Sequence, residues 1–367
     1  MTKIAIGMSG GVDSSVAAAL LQEAGYEVIG VTLALWRGSL CCSFEDVARA
    51  KQVCKQLGIK HFLIEALDDF RIQVVEPFVA ARLSGKTPNP CVTCNKQFKF
   101  GLLWERLLKR DSEVNALASG HYARLQHNAE TQRWEVLAAK DPGKDQSYML
   151  WQLSQVQLAH SLFPLGDLTK AQVRQKAMDL GLSEIAQKPD SQDLCFIVPS
   201  SEQFWQEKAA EGCQTGEIVD QQGKVLGQHH GRVFYTPGQR RGLGIGSSER
   251  LFVSGVDPER NQVQVAPKQA LMTHDITLSD LNWVSIAPPT DRLRAGFKLS
   301  SRSQPLAGVL TLQDSHSAQL YLDKAHMPVG QGQSTVFYDT DYRLLGGGIL
   351  QSMGSFAQPK ATLATSF

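Results

Sequence analysis

The chain has 367 residues, of which 43% are hydrophobic and 20% charged, and its formal net charge is +1 at pH 7. That length supports two or three domains with real cores, while the near-neutral balance gives no global attraction for polyanions, so any RNA-binding surface must be a local patch. No apolar run is long enough to span a membrane, and the opening Met-Thr-Lys-Ile-Ala-Ile leads straight into a core strand without a signal peptide, so a cytoplasmic location is expected. In that reducing compartment, seven cysteines predict metal, catalytic or buried roles before a disulfide scaffold.

The first predicted element is an apolar strand, Ile4 to Met8, which turns into a helix from Ser14 to Ala24. The connection reads Gly7-Met8-Ser9-Gly10-Gly11-Val12-Asp13-Ser14-Ser15. Gly10 and Gly11 let the backbone approach an anion closely, the following amides point outward, and the helix start adds its positive dipole end. This is a phosphate site. It lacks the Gly-Lys-Ser/Thr ending of a Walker loop, and the string S-G-G-x-D-S-S resembles the PP-loop of ATP pyrophosphatases, which cleave ATP between the α and β phosphates. Asp13 is the natural metal-side carboxylate, with Mg²⁺ as the expected ion.

Strand and helix signals then alternate: Glu27 to Leu33, a helix from Phe44 to Leu57 with Ser43 placed to cap it, His61 to Ala66, and Asn115 to Ser119. Such alternation implies a parallel sheet wrapped by helices, with ligands beyond the carboxyl ends of its strands. Cys41 and Cys42 follow the second strand and read more readily as small buried hydrophobes than as a sulfur relay. Cys54 shares an apolar stripe with Val47, Ala50 and Leu57 and is assigned to the core.

The second informative stretch is Thr87-Pro88-Asn89-Pro90-Cys91-Val92-Thr93-Cys94-Asn95-Lys96-Gln97-Phe98-Lys99-Phe100. Two prolines hold the approach extended, and Cys-x-x-Cys opens a helix whose amide-rich end favours thiolate. Such a pair alone reads as a thioredoxin-like couple, half a zinc site or two inert thiols. No second pair at zinc-finger spacing completes a zinc site. Lys96, Lys99, Arg106, Lys109 and Arg110 on the following helix suit either phosphate contacts or a solvated face. Thr169 with Gln172 forms a capping box for a helix ending near Leu180-Gly181, and Cys195 lies in Asp190-Ser191-Gln192-Asp193-Leu194-Cys195-Phe196. After Ser200 the texture becomes β-rich. Hairpins are expected over 216–231 and 253–266, with turns at Gln222-Gly223 and Asp257-Pro258, and Arg240-Arg241 sits in a glycine-rich loop suited to phosphates.

Taken together, these segments resemble the bacterial tRNA 2-thiouridylase family over nearly the whole chain. The likeness is also carried by Ala118-Ser119-Gly120-His121-Tyr122, Lys144-Asp145-Gln146-Ser147-Tyr148, Leu162-Phe163-Pro164-Leu165-Gly166, 236–246 and Gly346-Gly347-Gly348-Ile349. It implies an α/β fold: a PP-loop ATP pyrophosphatase domain of the adenine nucleotide α-hydrolase type over 1–200, a small central β-rich domain over 201–279, and a C-terminal, tRNA-binding β-barrel over 280–367. It implies ATP-dependent 2-thiolation of the wobble uridine, in which ATP adenylylates the C2 oxygen and sulfur from a persulfide displaces AMP. By correspondence, Gly7, Met8, Ser9, Gly10, Gly11, Val12, Asp13, Ser14, Leu33 and Gly120 hold ATP. Asn89, Pro90 and Cys91 meet the target base, and His121, Lys144, Asp145, Gln146 and Gln333 contact tRNA.

The resemblance assigns the nucleophile to Cys94 and the persulfide to Cys195, with a transient disulfide between them. A persulfide donor is implied as partner, such as a cysteine desulfurase or a sulfur-relay protein. Two departures stand out. Cys91 replaces an aspartate, so Cys91, Cys94 and Cys195 also suit a [4Fe–4S] cluster with one open iron. Ser300-Ser301, followed by Arg302, replaces an Arg-aromatic pair among the tRNA contacts. The rival functions are a PP-loop amidotransferase or ligase using ammonia, against which the paired cysteines argue, and a non-catalytic iron–sulfur RNA-binding protein, for which the intact loop would have no purpose.

Overall fold

The structure is a computed structural model and describes residues 2–36, 44–188, 194–197 and 200–354. Cys41, Cys42, the proposed cap Ser43 and the segment Asp190 to Asp193 lie outside the described residues. Five strands form a parallel sheet: β1 (Lys3–Gly7), β2 (Glu27–Ala34), β3 (Lys60–Glu65), β4 (Val114–Ala118) and, after β5 and β6 defined below, β7 (Ser161–Leu162). Their order is β3-β2-β1-β4-β7, with every neighbouring pair parallel. β2 is buried along six consecutive residues, as expected of a strand covered on both faces. Helix α1 (Val12–Glu23) lays Val16, Ala17 and Ala18 on one face of the sheet, and α2 (Phe44–Gln56) adds Ala50, Val53 and Cys54. Cys54 is fully buried, and burial pushes its thiol up to about 11.

Because the chain adds β2 and β3 on one side of β1 and then β4 on the other, the strand order reverses at the β1/β4 boundary. The crevice outside the carboxyl ends of those two strands is where such sheets bind ligands.

Four strands make the central sheet: β8 (Gly216–Val219), β9 (Val225–His229), β10 (Leu251–Asp257) and β11 (Gln262–Pro267). The two hairpins are antiparallel as expected, and β8 pairs with β11 in parallel to join them. Gly223 takes φ +81° in the first turn. The third part contains β12 (Thr273–Trp283), β13 (Arg292–Lys298), β14 (Leu306–Leu312), β15 (Ala318–His326), β16 (Ser334–Tyr338) and β17 (Arg343–Met353). The order β12-β15-β14-β13-β16-β17, with β12 also paired to β17, closes a six-stranded barrel that has no free edge in its ring. Its core is Leu278, Phe297, Leu310, Leu320, Phe337 and Leu350.

One pairing crosses the division expected from sequence. The hairpin of β5 (Ala123–Asn128) and β6 (Arg133–Ala138) leaves the first sheet and extends the barrel sheet, with β6 antiparallel to β17 through Leu137↔Arg343 and Val136↔Leu344. The seam is polar where it is buried. Glu135, 1% exposed, accepts from Arg343 Nη1 at 2.8 Å, Gln126 Nε2 at 2.8 Å and Asn128 Nδ2 at 3.0 Å, which together hold its carboxyl below the usual range despite burial. Asn282 donates to the carbonyl of Trp151, whose ring lies against Gly347 of the glycine-rich strand.

Candidate active site

The loop after β1 sits at the reversal point of the sheet. Gly10 has φ +70°, and a Cβ there would fall on the Asp46 carbonyl oxygen in the first turn of α2. From the other side Gly120, just after β4, backs the loop so closely that a Cβ would stand 2.9 Å from Ser14 N. No larger residue fits without moving the backbone that would bind phosphate. Ser14 Oγ and Ser15 Oγ both bond the Gly11 carbonyl, at 3.2 and 2.9 Å, and fix the loop's exit. Leu33 lies near the end of β2, 8% exposed.

Asp13 is less simple than the sequence suggests. Its two carboxylate oxygens receive Lys170 Nζ at 2.8 and 2.9 Å, and Oδ1 also accepts the Tyr122 hydroxyl at 2.7 Å. A second acidic group beside the loop, Asp46, is held by Lys188 Nζ at 2.9 Å and by Arg49. The sequence reading gave neither lysine a role, although Lys170 lies inside the Thr169–Gln172 capping box. One signal was available, because a lysine at the first residue of a helix, as Lys170 is after its Thr169 cap, opposes the helix dipole.

Tyr122 leads from the nucleotide loop toward the cysteines. Its backbone N–H donates to Gln146 Oε1 at 3.0 Å, and its carbonyl accepts from Gln146 N at 2.8 Å. Met149 N then bonds the Gln146 carbonyl at 2.9 Å, and the Met149 carbonyl accepts Asn95 Nδ2 at 3.0 Å, one residue beyond Cys94. Asn89 Nδ2 reaches Met149 Sδ at 3.7 Å. The segment 144–149 is therefore one wall shared by both halves of the site. Within it Asp145 serves the backbone: its carboxylate accepts Ala139 N, Ser147 N and Ser147 Oγ. Ser147 Oγ in turn lies 3.0 Å from the Tyr338 hydroxyl in the barrel. Lys144 lies in the turn that follows Asp141, its N–H bonded to the Asp141 carbonyl at 3.0 Å. His121 sits beside this wall with Nδ1 2.8 Å from Ser119 Oγ and its ring near Phe100 and Phe163. Burial, followed by the charge of Lys99, lowers its pKa to about 3, so it meets any ligand as a neutral ring.

Pro90 to Cys94 form a one-turn helix capped by the Asn89 side chain, which accepts from Cys91 N at 3.2 Å. Cys94 is 7% exposed and Cys91 is half-buried. The helix then widens to π geometry over Asn95–Leu102, and Gln157 Nε2 bonds the Lys96 and Phe100 carbonyls at 2.7 and 3.1 Å. Such widened turns are frequent at functional sites. The neighbouring basic residues are partly committed: Arg106 binds Asp69 and the Glu65 carbonyl, and Arg110 lies 4.3 Å over the Phe62 ring.

Cys195 comes from far along the chain. Phe196 anchors it, 2% exposed and packed edge-on among Phe70, Phe78 and Trp36 in the cluster that also holds Cys94. Cys195 lies on the rim of that cluster. Further along the same segment, Ile197 lines a cavity of about 340 Å³ with Thr87, Pro88, Trp205, Phe234 and Gln333, among others, so all three parts of the chain contribute. Gln333 is brought there by the barrel loop whose Gln331 carbonyl accepts Thr87 N at 2.7 Å. Ser300 and Ser301 lie in the turn after β13, just past Lys298, whose ammonium stands 5.7 Å over the Tyr338 ring. Among the described residues, no group of three or more His, Cys, Asp or Glu side chains is gathered as a metal site. No such gathering supports the [4Fe–4S] reading of Cys91, Cys94 and Cys195. Cys213, for which the sequence offered no role, is buried in the central part, where burial raises its pKa.

A nucleotide loop at a sheet's reversal point, joined by one wall to a pair of distant cysteines, defines an ATP-using PP-loop enzyme with two appended β-domains. Family models match nearly all of it: a tRNA methyl transferase HUP domain over residues 2–199, a tRNA methyl transferase PRC-barrel domain over 203–267, and an aminomethyltransferase beta-barrel domain over 273–350. The tRNA-specific 2-thiouridylase MnmA of Geobacter metallireducens is 42% identical over 359 residues, covering 94% of this chain and 96% of that protein. That of a Synechococcus species is 44% identical over 351 residues, covering 95% and 94%. Among solved structures, a U34-tRNA thiolase, NcsA from Methanococcus maripaludis with its [4Fe-4S] cluster, aligns at 18% identity over 57% of this chain and 68% of that one, with a TM-score of 0.34. The chain belongs to the tRNA-specific 2-thiouridylase family.

Proposed function

We propose that the chain uses ATP to activate C2 of the wobble uridine of tRNA and replaces its oxygen with sulfur carried on Cys195. As a member of its family, the chain is an ATP-using tRNA sulfurtransferase. The observation that carries the finer reading is the hydrogen-bonded wall from Asp13 through Tyr122 and Gln146 to Met149 and Asn95. This chain of hydrogen bonds links Asp13 of the nucleotide loop to Asn95, the residue after Cys94, which supports their acting together.

In the first step the C2 oxygen attacks the α-phosphorus of ATP, the bond to the β-phosphate breaks, and pyrophosphate leaves. The loop amides and the start of α1 face the charge that develops. In the second, the terminal sulfur of a Cys195 persulfide attacks C2 and AMP departs. The Cys94 thiolate then attacks the Cys195 sulfur, which releases the thiocarbonyl and leaves a Cys94–Cys195 disulfide for an external thiol to reduce. The ATP contacts we assign are Gly7 to Ser14, Leu33 and Gly120. Asn89, Pro90 and Cys91, the neutral His121, Lys144, Gln146, Ser300, Ser301 and Gln333 form the tRNA side, with Asp145 shaping the wall. We retain 1–200, 201–279 and 280–367 as the division of labour among the three parts.

Mg²⁺ would travel with the nucleotide and neutralise phosphate charge. Asp13, already engaged through both oxygens by Lys170 and through one by Tyr122, does not present an open ligand set, and no step here passes through a metal. The persulfide comes from a desulfurase or relay protein of the cytoplasm, and no helix among the described residues is long and apolar enough to cross a membrane. The decisive experiment is mass analysis of the wobble nucleoside after incubating unmodified tRNA with the protein, ATP and a persulfide source. Expected is 2-thiouridine with stoichiometric AMP and pyrophosphate; ATP turnover without replacement of the C2 oxygen by sulfur in the wobble nucleoside refutes it.

A further inference from the structure

We propose that Lys170 is the fixed cation of the nucleotide site, binding the β- and γ-phosphate oxygens of ATP and the pyrophosphate that leaves. The inference rests on the ATP reading of the loop and adds a residue to it. Lys170 is 8% exposed and its ammonium bridges both oxygens of Asp13, while the Asp13 side chain is 33% exposed. An ion pair of this kind is a poor device for stability, because removing both charges from water costs about as much as their attraction returns. The placement is also locally unfavourable, since a lysine at the first residue of its helix faces the positive dipole end, a penalty of roughly 0.3–1 kcal/mol.

What the arrangement does offer is position. Lys170 is buried against Asp13, the second residue of α1, where the loop passes into the helix, and its ammonium lies 5.8 Å over the Tyr122 ring. Asp13 and the Tyr122 hydroxyl hold the side chain in place, so little reorganisation is needed when phosphate oxygens arrive. As the C2 oxygen of uridine bonds to the α-phosphorus, the electrons of the bond to the β-phosphate move onto pyrophosphate. That charge develops beside Lys170, whose ammonium keeps its protons throughout. Asp13 is then a positioning residue for the lysine.

The test compares ATP, pyrophosphate and AMP as ligands of the full-length protein by calorimetry. Wild-type protein must bind ATP, or the nucleotide reading itself fails. Lys170→Met should weaken ATP and pyrophosphate binding by about 10- to 100-fold, the worth of a hydrogen bond to a charged group, and leave AMP binding within about twofold. Lys170→Arg should recover most of the loss. A lysine that merely supports the fold would change all three ligands together or none, and either result overturns the proposal. Should Lys170→Met fail to fold with the Asp13 carboxylate left opposite a thioether, the neutral pair Asp13→Asn with Lys170→Met, measured against Asp13→Asn alone, carries the same comparison of ATP with AMP.

Discussion

The two ends of the site are built on opposite plans. The nucleotide end is mostly backbone, drawn from one contiguous loop backed by Gly120 just after β4, with the Lys170–Asp13 pair as its charged part. The proposed thiol end joins side chains from distant segments, with Cys94 and Phe196 in one aromatic cluster and Cys195 packed against it. A loop that binds phosphate with amides tolerates changes that spare its φ angles, whereas a constellation of distant thiols depends on every contact that brings its segments together. The comparison teaches where each end should break.

The largest separation is expected from the cysteines. Cys94→Ser and Cys195→Ser should each cut 2-thiouridine formation on the order of a thousandfold or more while tRNA-dependent pyrophosphate release continues, and Cys213→Ser should leave both rates unchanged. Thiolation surviving either active-site variant would merge what is here divided. Phe196→Ala attacks the thiol end through its anchor: loss of a buried ring should cost about 3–5 kcal/mol in denaturant unfolding, and the thiolation rate should suffer more than ATP affinity. Gly120→Ala is the mirror experiment. Its methyl would crowd Ser14 N, and the displaced loop should lose about a hundredfold in pyrophosphate release, with persulfide loading of Cys195 unaffected.

The smallest effects sharpen the picture. Cys91→Asp should keep thiolation near the wild-type level when a persulfide is the donor, because only Cys94 and Cys195 exchange sulfur; loss of activity together with loss of bound iron would restore the cluster. His121 has a folded-state pKa of about 3 against an ordinary 6.5, so the unfolded chain binds the extra proton between those values. Stability therefore falls as pH drops from 6.5 toward 3 and is unaffected above that window. His121→Gln should flatten the melting temperature against pH across that range, and the activity profile between pH 7 and 8 should show no ionisation removed by the substitution.

These expectations follow how much could be read from the chain beforehand. The loop from Gly7 to Ser15, the capping box at Thr169 and Gln172, and the hairpin turn at Gly223 all rest on local rules, and the structure contains each of them. The Lys170–Asp13 pair joins residues 157 apart, and no periodicity announces such a contact. The π-widened turns after Cys94 have no propensity signature either, since what sustains them is the Gln157 amide from another helix. Asp145 falls in a segment identified by correspondence with tRNA contacts, yet its carboxylate satisfies backbone and hydroxyl donors at the wall. The basic helix gave two readings, and for Arg106 and Arg110 it is packing and internal pairing that occupy the charge.

The β5–β6 hairpin bears on how this protein can be made and divided. A ribosome releases β6 some two hundred residues before its partner strand, so the first part of the chain emerges with an open sheet edge and with the Trp151 ring still lacking its glycine-rich cover. A fragment cut near residue 200 to isolate the nucleotide-binding part would keep both defects permanently. Such a truncation should be sticky and poorly soluble, and supplying residues 201–367 as a separate chain should rescue it by restoring the missing strand.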